Sequence, residues 1–252
     1  MSWLRRIIAG FIYAGVLLAA WHLIVRAFAV PAYIVPTPSA VGARLLRQPD
    51  LLAYHAGITA LEIVLALIIG SAIGFAVGVL CWMSARVEQG LMPVLIVTQA
   101  LPVFAIAPLL VTWLGYGLAP KLTMATLIVF FPVALATLNG LKRVPSVYAE
   151  LAATMRATPL NRFLFVMLPA SLGTIAVGLR LAAVSAPIGA IVGEWVGSAE
   201  GLGFLMLRAN QRVEIDLVFA ALAVLCTLTL LIYGLVHIAT GRLLSWSPSN
   251  ER

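Results

Sequence analysis

Polar positions in this chain fall into short clusters separated by long runs that almost lack them. The apolar runs lie near 7–29, 58–83, 91–114, 121–140, 174–197 and 216–240. A helix rises about 1.5 Å per residue, so about 20 apolar residues cross a bilayer core of roughly 30 Å. Lipid offers no partner to backbone N–H and C=O groups, so each run is predicted to be helical. Runs this long and unbroken exclude the short alternating strands of a membrane barrel. The pattern therefore predicts an all-α integral membrane protein of six transmembrane helices, forming a single domain over 1–252.

Two of the intervening stretches carry structure of their own. "VPAYIVPTPSAVGARLLRQPD", between the first two runs, reads as a proline-rich extended crossing followed by an interfacial helix. "YAELAATMRATPLNRFLFVMLPAS", residues 148–171, is a semi-polar island between the fourth and fifth runs. Ser146 is placed to cap a first short helix. Thr158 and Pro159 are placed to start a second, with proline where its missing N–H costs nothing. The second helix is expected to end at Pro169, and a tight turn near Ala157 is expected to join the two. Ala149, Ala152 and Ala153 give the first helix a low-profile face; Phe163, Phe165 and Val166 give the second an apolar one. Such an elbow buries little by itself and is shaped to sit in another protein's groove.

Composition agrees with the pattern: 63% of the residues are hydrophobic and 10% charged, with a mean hydropathy of +1.08. The net charge of +7 matches basic residues gathered at a membrane edge, and nucleic acid is not an expected partner. With the N-terminus inside, Arg5, Arg6, Arg86, Lys142, Arg143, Arg156, Arg162, Arg242 and Arg252 face the cytoplasm, with Arg5 and Arg6 as an anchor before an uncleaved first helix. Arg26, Arg44, Arg47, Lys121, Arg208 and Arg212 fall outside with Asp50, Glu200, Glu214 and Asp216, so the island faces the cytoplasm. Cys81 and Cys226 read as small buried apolar residues. His22, His55 and His237 are scattered. No metal site, nucleophile or acid–base pair is assigned.

Charges inside the runs are few. Glu194 and Trp195 sit at the outer end of the fifth, where Glu194 is either a boundary residue wetted at the headgroups or a pathway-lining acceptor for a polar solute. Gly189, Gly193 and Gly197 form a stripe for close helix packing, including a possible dimer contact. Glu62 is expected to be solvated near an outer end, and Arg180 to snorkel inward. Pro102 and Pro108 predict either a packing kink or a bent wall that opens backbone groups to a pathway. Phe104, Trp113 and Tyr116 offer ring surface to a flat solute or form part of a membrane belt.

The island resembles the cytoplasmic coupling loop, or EAA loop, of ATP-binding cassette (ABC) importer permeases. That pattern is Glu-Ala-Ala, three residues, Gly, nine residues, a branched apolar residue, one residue, then Leu-Pro. Glu150, Ala152, Val166, Leu168 and Pro169 fall on register. Leu151 replaces the first alanine, and Arg156 occupies the glycine position, with Ala157 beside it to make the turn. "VPAYIVPTPSAV" and "LPVFAIAPLLVTWLGYG" resemble segments of nitrate, sulfonate and taurine permeases, and "IGAIVGEWVGSAEGLGFLMLRA" resembles permeases of thiamine pyrimidine precursors and riboflavin.

The resemblance implies the type I ABC importer permease architecture in a bacterial inner membrane, multi-pass. Glu150, Ala152, Ala153, Arg156, Ala157, Val166, Leu168 and Pro169 would form the ATPase-coupling loop, and Glu194, Trp195, Phe104 and Pro102 the substrate pathway. The implied partners are two copies of an ABC ATPase, a periplasmic or lipid-anchored solute-binding protein, a second copy of this chain and membrane lipid. No cofactor is expected in this chain, since ATP and magnesium would sit on the ATPase. The sequence has no G-x-x-x-x-G-K-[ST] phosphate loop, so it is read as a transport subunit and not an enzyme. The expected solute is a thiamine pyrimidine precursor or riboflavin, with nitrate, sulfonate or taurine as alternatives. An ion-coupled secondary transporter would need carboxylates near mid-membrane, whereas the acids here sit near span ends.

Overall fold

Glycine spacing decides how the core helices meet. In the computed structural model, which describes residues 2–244 apart from the side chains of 2–8 and 11, α3 (Pro49–Met83) carries Gly70, Gly74 and Gly78 on one face. That face lies on α6 (Leu118–Lys142) so closely that a Cβ on Gly70 would come within 2.8 Å of Val129 Cβ and one on Gly78 within 2.6 Å of Thr137 Cβ. A second side of α6 receives α9 (Leu168–Gly197), where a Cβ on Gly189 would meet Ala125 Cα at 2.5 Å and one on Gly193 would meet Lys121 Cα at 2.8 Å. The stripe on α9 therefore packs within its own chain, not against a second copy. Small residues let backbones approach in lipid, where packing and not water exclusion drives association.

Around this α3–α6–α9 sandwich stand α1 (Ser2–Ala27), α2 (Pro38–Arg47), α4 (Ala85–Ala100), α5 (Val103–Leu114), α7 (Ser146–Thr154), α8 (Pro159–Arg162), α10 (Leu202–Gln211) and α11 (Ile215–Leu243). No strand occurs among the described residues. Ile63, Val129, Val133, Ala182, Ala186 and Ile232 form the central core, joining α11 to the sandwich. A second core at one end joins Val41, Leu52, Leu202, Leu205 and Leu217.

Among the described residues, four helical stretches are long and apolar enough to cross a membrane: α3, α6, the 39-residue run Pro159–Gly197, and α11. The run expected at 91–114 is broken into α4 and α5, which meet at 98°, and counted as one span they make a fifth. Leu101 and Pro102 form the break, and Pro102 supplies no N–H to continue α4. α1 runs for 26 residues, and the apolar stretch Ile12–Ala27 is the part of it that lies wholly among the described residues. The side chains of the expected Arg5–Arg6 anchor, and Arg252, lie outside the described residues. At 35 residues, α3 is about 52 Å long and outruns a bilayer core.

The proline-rich crossing ends where Thr37 caps α2, its hydroxyl accepting from Ala40 N at 3.3 Å. Arg44 then ties α2 to the start of α11 through Glu214 and, at 3.6 Å, Asp216. Cys81 is buried as expected, but Cys226 is exposed on α11, whose outer face turns away from the bundle.

Candidate functional site

The elbow is built from local backbone chemistry. α7 begins after Pro145, and Ser146 is its first residue and makes no cap bond. It ends in a turn where Arg156 N donates to Ala153 O at 2.9 Å and Ala157 N to Ala152 O at 3.0 Å, closing the last free carbonyls of the helix. The left-handed residue of that turn is Arg156, with φ +55°. This corrects the expectation for Ala157: the turn is made at the glycine position, and arginine bears the strain that glycine would avoid.

Thr158 caps α8 by accepting from Asn161 N at 3.3 Å, with Pro159 as first residue. Pro169 does not end the helix. Residues Phe163–Met167 form a π turn, in which Leu168 N reaches back to Phe163 O, and the chain continues directly into α9. Widening the turn shifts the bonding register just before the residue that cannot donate, so proline enters without a break.

The elbow's surfaces divide sharply. Ala152 is 4% exposed and packs inward, whereas its neighbour Leu151 is 57% exposed. Ala153 and Glu150 are exposed, and Val166, Leu168 and Pro169 are half-buried. Val147, Tyr148, Leu151 and Met155 leave the apolar edge of α7 unpartnered within the chain. Phe163 turns inward onto Trp82 at the end of α3, ring centroids 5.7 Å apart. Lys142 bonds Glu88 at 2.5 Å, tying the base of the elbow to α4.

At the far end of the bundle the structure places a buried polar cluster that the sequence pattern missed. Glu62 is paired with Lys121, and both are buried, at 1% and 5% exposure. This corrects the solvated Glu62; Lys121, counted among the outer loop cations, is its partner inside the bundle. Lys121 Nζ also donates to Ser198 Oγ at 3.0 Å. Glu194 is 0% exposed. Thr59 Oγ1 donates to its Oε1 at 2.6 Å, and Gly203 N to its Oε2 at 2.5 Å. Leu202 N donates to Thr59 Oγ1 at 2.8 Å, and Gly201 N to His55 Nδ1 at 3.0 Å. Together α3 and α9 hold the first turn of α10, whose free N–H groups favour an acidic partner. Gly201 has φ +106°, and any Cβ there would collide with the Glu194 carboxyl.

Glu194 is therefore not wetted at a boundary: its carboxyl is enclosed and bonded within the chain. The tentative pathway residues separate. Phe104 and Trp195 come together, ring centroids 5.8 Å apart, both partly exposed. Pro102 is exposed at the α4–α5 break, while Glu194 turns to Thr59 and Gly203. Arg180, instead of snorkelling alone, donates from Nε to Thr240 Oγ1 at 3.0 Å.

A second feature is a groove of about 420 Å³ along α6 and α9, reaching Gln99 on α4. Its polar side chains are Gln99, Asn139, Arg143, Thr174 and Ser185. Each lies in or beside an apolar run, where a single polar residue was the only available signal.

Comparison with known proteins places this geometry. Residues 66–244 match the family of binding-protein-dependent transport system inner membrane components. A probable ABC transporter permease protein of Haemophilus influenzae is 46% identical over 228 residues, covering 90% of this chain and 93% of the relative. The formylaminopyrimidine transport permease protein of Halalkalibacterium halodurans is 33% identical, covering 91% and 92%. Among solved structures, an inward-facing form of the MetNI methionine ABC transporter superposes with a TM-score of 0.69 at 20% identity, over 78% of this chain and 98% of that one. The elbow between two long core helices, the broken α4–α5 pair and the matched family model converge: this chain belongs to the binding-protein-dependent inner membrane permeases of ABC importers, with the type I fold.

Proposed function

We propose that two copies of this chain form the pathway of an importer for a small flat nitrogen heterocycle, first a thiamine pyrimidine precursor and next riboflavin. The elbow and N-terminus face the cytoplasm. Two ATPase subunits, which carry the ATP and magnesium, dock on the elbow, and a periplasmic or lipid-anchored binding protein delivers solute at the far end. The observation that carries the docking is the unpartnered apolar edge of α7, Val147, Tyr148, Leu151 and Met155. The similarity to a formylaminopyrimidine permease over nearly the full chain supports the solute.

The test of docking separates two adjacent residues. Leu151→Asp should abolish co-purification of the ATPase with the unfolding midpoint of the chain unchanged, because its side chain faces outward. Ala152→Asp should lower that midpoint, because a charge would enter a buried position. Full ATPase binding and uptake by Leu151→Asp removes the elbow from coupling. Mass determination in nanodiscs should find two copies of this chain with two ATPases; a different permease chain in the second place refutes the homodimer. Uptake of radiolabelled hydroxymethylpyrimidine by the complete complex tests the solute, and transport of taurine or nitrate in its place overturns that part.

A further inference from the structure

We infer that Asn139, flanked by Gln99 and Ser185, reads the solute in the α6–α9 groove, which accepts an uncharged planar molecule presenting a hydrogen-bond donor beside an acceptor. The inference rests on the reading of this chain as a solute pathway and adds the residues and chemistry of selection.

The polar lining argues for a groove that faces protein or water. The Asn139 side chain makes no hydrogen bond with the described residues, although it sits on a membrane-crossing helix. An amide left unpaired in hydrocarbon is costly, so polar groups in spans turn toward protein or a wet cavity. The other polar groups repeat that argument along the same wall. Gln99 uses one N–H on Leu127 O at 3.3 Å, which leaves its carbonyl and second N–H free. The Ser185 hydroxyl donates to Leu181 O at 3.0 Å and keeps its lone pairs free to accept. On α6 the lining runs from Ile128 to Arg143, about 22 Å along the helix, so the groove extends from mid-helix to the elbow end. A cavity of about 420 Å³ suits a small molecule.

The chemistry of the lining selects among solutes. A carboxamide offers one acceptor and a pair of donors side by side, and two such groups match the edge of a ring amide or an aminopyrimidine. Phe131 lines the same groove and supplies a ring face for stacking. The groove is lined by no acidic residue, and its one cation, Arg143, stands at the elbow end. A cation would find no compensation there, and a compact inorganic anion would leave the amide acceptors unmatched.

The experiment uses the complete complex in proteoliposomes, with Cys81 and Cys226 replaced by alanine. Asn139→Cys and Ser185→Cys are exposed to a water-soluble uncharged methanethiosulfonate, with Leu235→Cys on the outer face of α11 as lipid control. The two groove thiols should react on the order of tenfold faster than the control. Equally slow reaction overturns both the pathway reading and this inference. The native complex should carry hydroxymethylpyrimidine or riboflavin; transport of neither ring, or of taurine alone, overturns the selection. With the transported ring as probe, Asn139→Leu should reduce kcat/KM about tenfold, with the assembled complex recovered in full yield. Asn139→Gln should recover part of the loss, and Ser185→Ala, a milder change should Asn139→Leu fail to assemble, should cost about threefold. Reactive groove thiols with unchanged kcat/KM in both Asn139→Leu and Ser185→Ala leave the pathway standing and overturn the assignment of these residues.

Discussion

Thr59 on α3 donates its hydroxyl to Glu194 on α9 at 2.6 Å, and the same oxygen accepts the backbone N–H of Leu202 at 2.8 Å. One side chain thus joins two membrane-crossing helices and the first turn of α10. Glu194 completes the joint by accepting from Gly203 N. An acid near the end of a span is here tied to two other elements of its own chain.

Glu194→Ala should therefore act on stability. It strips partners from the Thr59 hydroxyl and the Gly203 N–H in a buried place, at a cost on the order of 2–4 kcal/mol. A thermal scan of the purified chain should show a lowered midpoint. Glu194→Gln should lose less, since its amide oxygen still accepts, and should leave solute preference unaltered. A changed preference at an unchanged midpoint returns Glu194 to the pathway.

The Glu62–Lys121 pair makes a sharper test because both partners are buried. Lys121→Met leaves Glu62 without its counter-charge and should cost about 3–5 kcal/mol. Adding Glu62→Gln should recover part of that loss, as removing both charges avoids the unpaired one. A double-mutant cycle on unfolding midpoints measures the coupling. Strict additivity would separate the two side chains.

Arg156 holds φ +55° at the end of α7. Arg156→Gly should keep the elbow and raise its local stability by up to about 1 kcal/mol, since glycine takes this conformation without strain. Arg156→Val should open the turn, because a branched side chain tolerates it worst. Protease nicking between α7 and α8 reads both. Equal nicking of the two variants contradicts the turn geometry.

The glycines of the sandwich divide by what surrounds them. A Cβ on Gly74 would run into the Phe130 carbonyl and stand 3.0 Å from Val133 Cβ, whereas one on Gly173 meets nothing within 4 Å. Gly74→Ala should cost about 1–3 kcal/mol by forcing α3 from α6. Gly173→Ala should gain about 0.5–1 kcal/mol from helix propensity alone. Midpoints that move in the same direction would show that α3 and α6 are not in contact there.

The sequence by itself determined that this chain crosses a membrane as helices, that an elbow interrupts it near residues 148–171, and which family it resembles. Each follows from local pattern: uninterrupted apolar runs admit only one way to pair their backbone in lipid, and the Thr158–Pro159 step marks a helix start wherever it stands. The tertiary structure alone decided what the few polar residues do. Lys121 is 59 positions from Glu62, and Thr59 is 135 from Glu194. No periodicity connects such pairs; they meet because glycine faces on α3 and α9 set the register of both helices against α6. Glu194 and Trp195 are adjacent in sequence yet meet different neighbours, Thr59 and Phe104, since adjacent helical residues stand about 100° apart. Whether such a residue is buried, paired or open to a groove depends on which helix arrives on that side, and packing settles it.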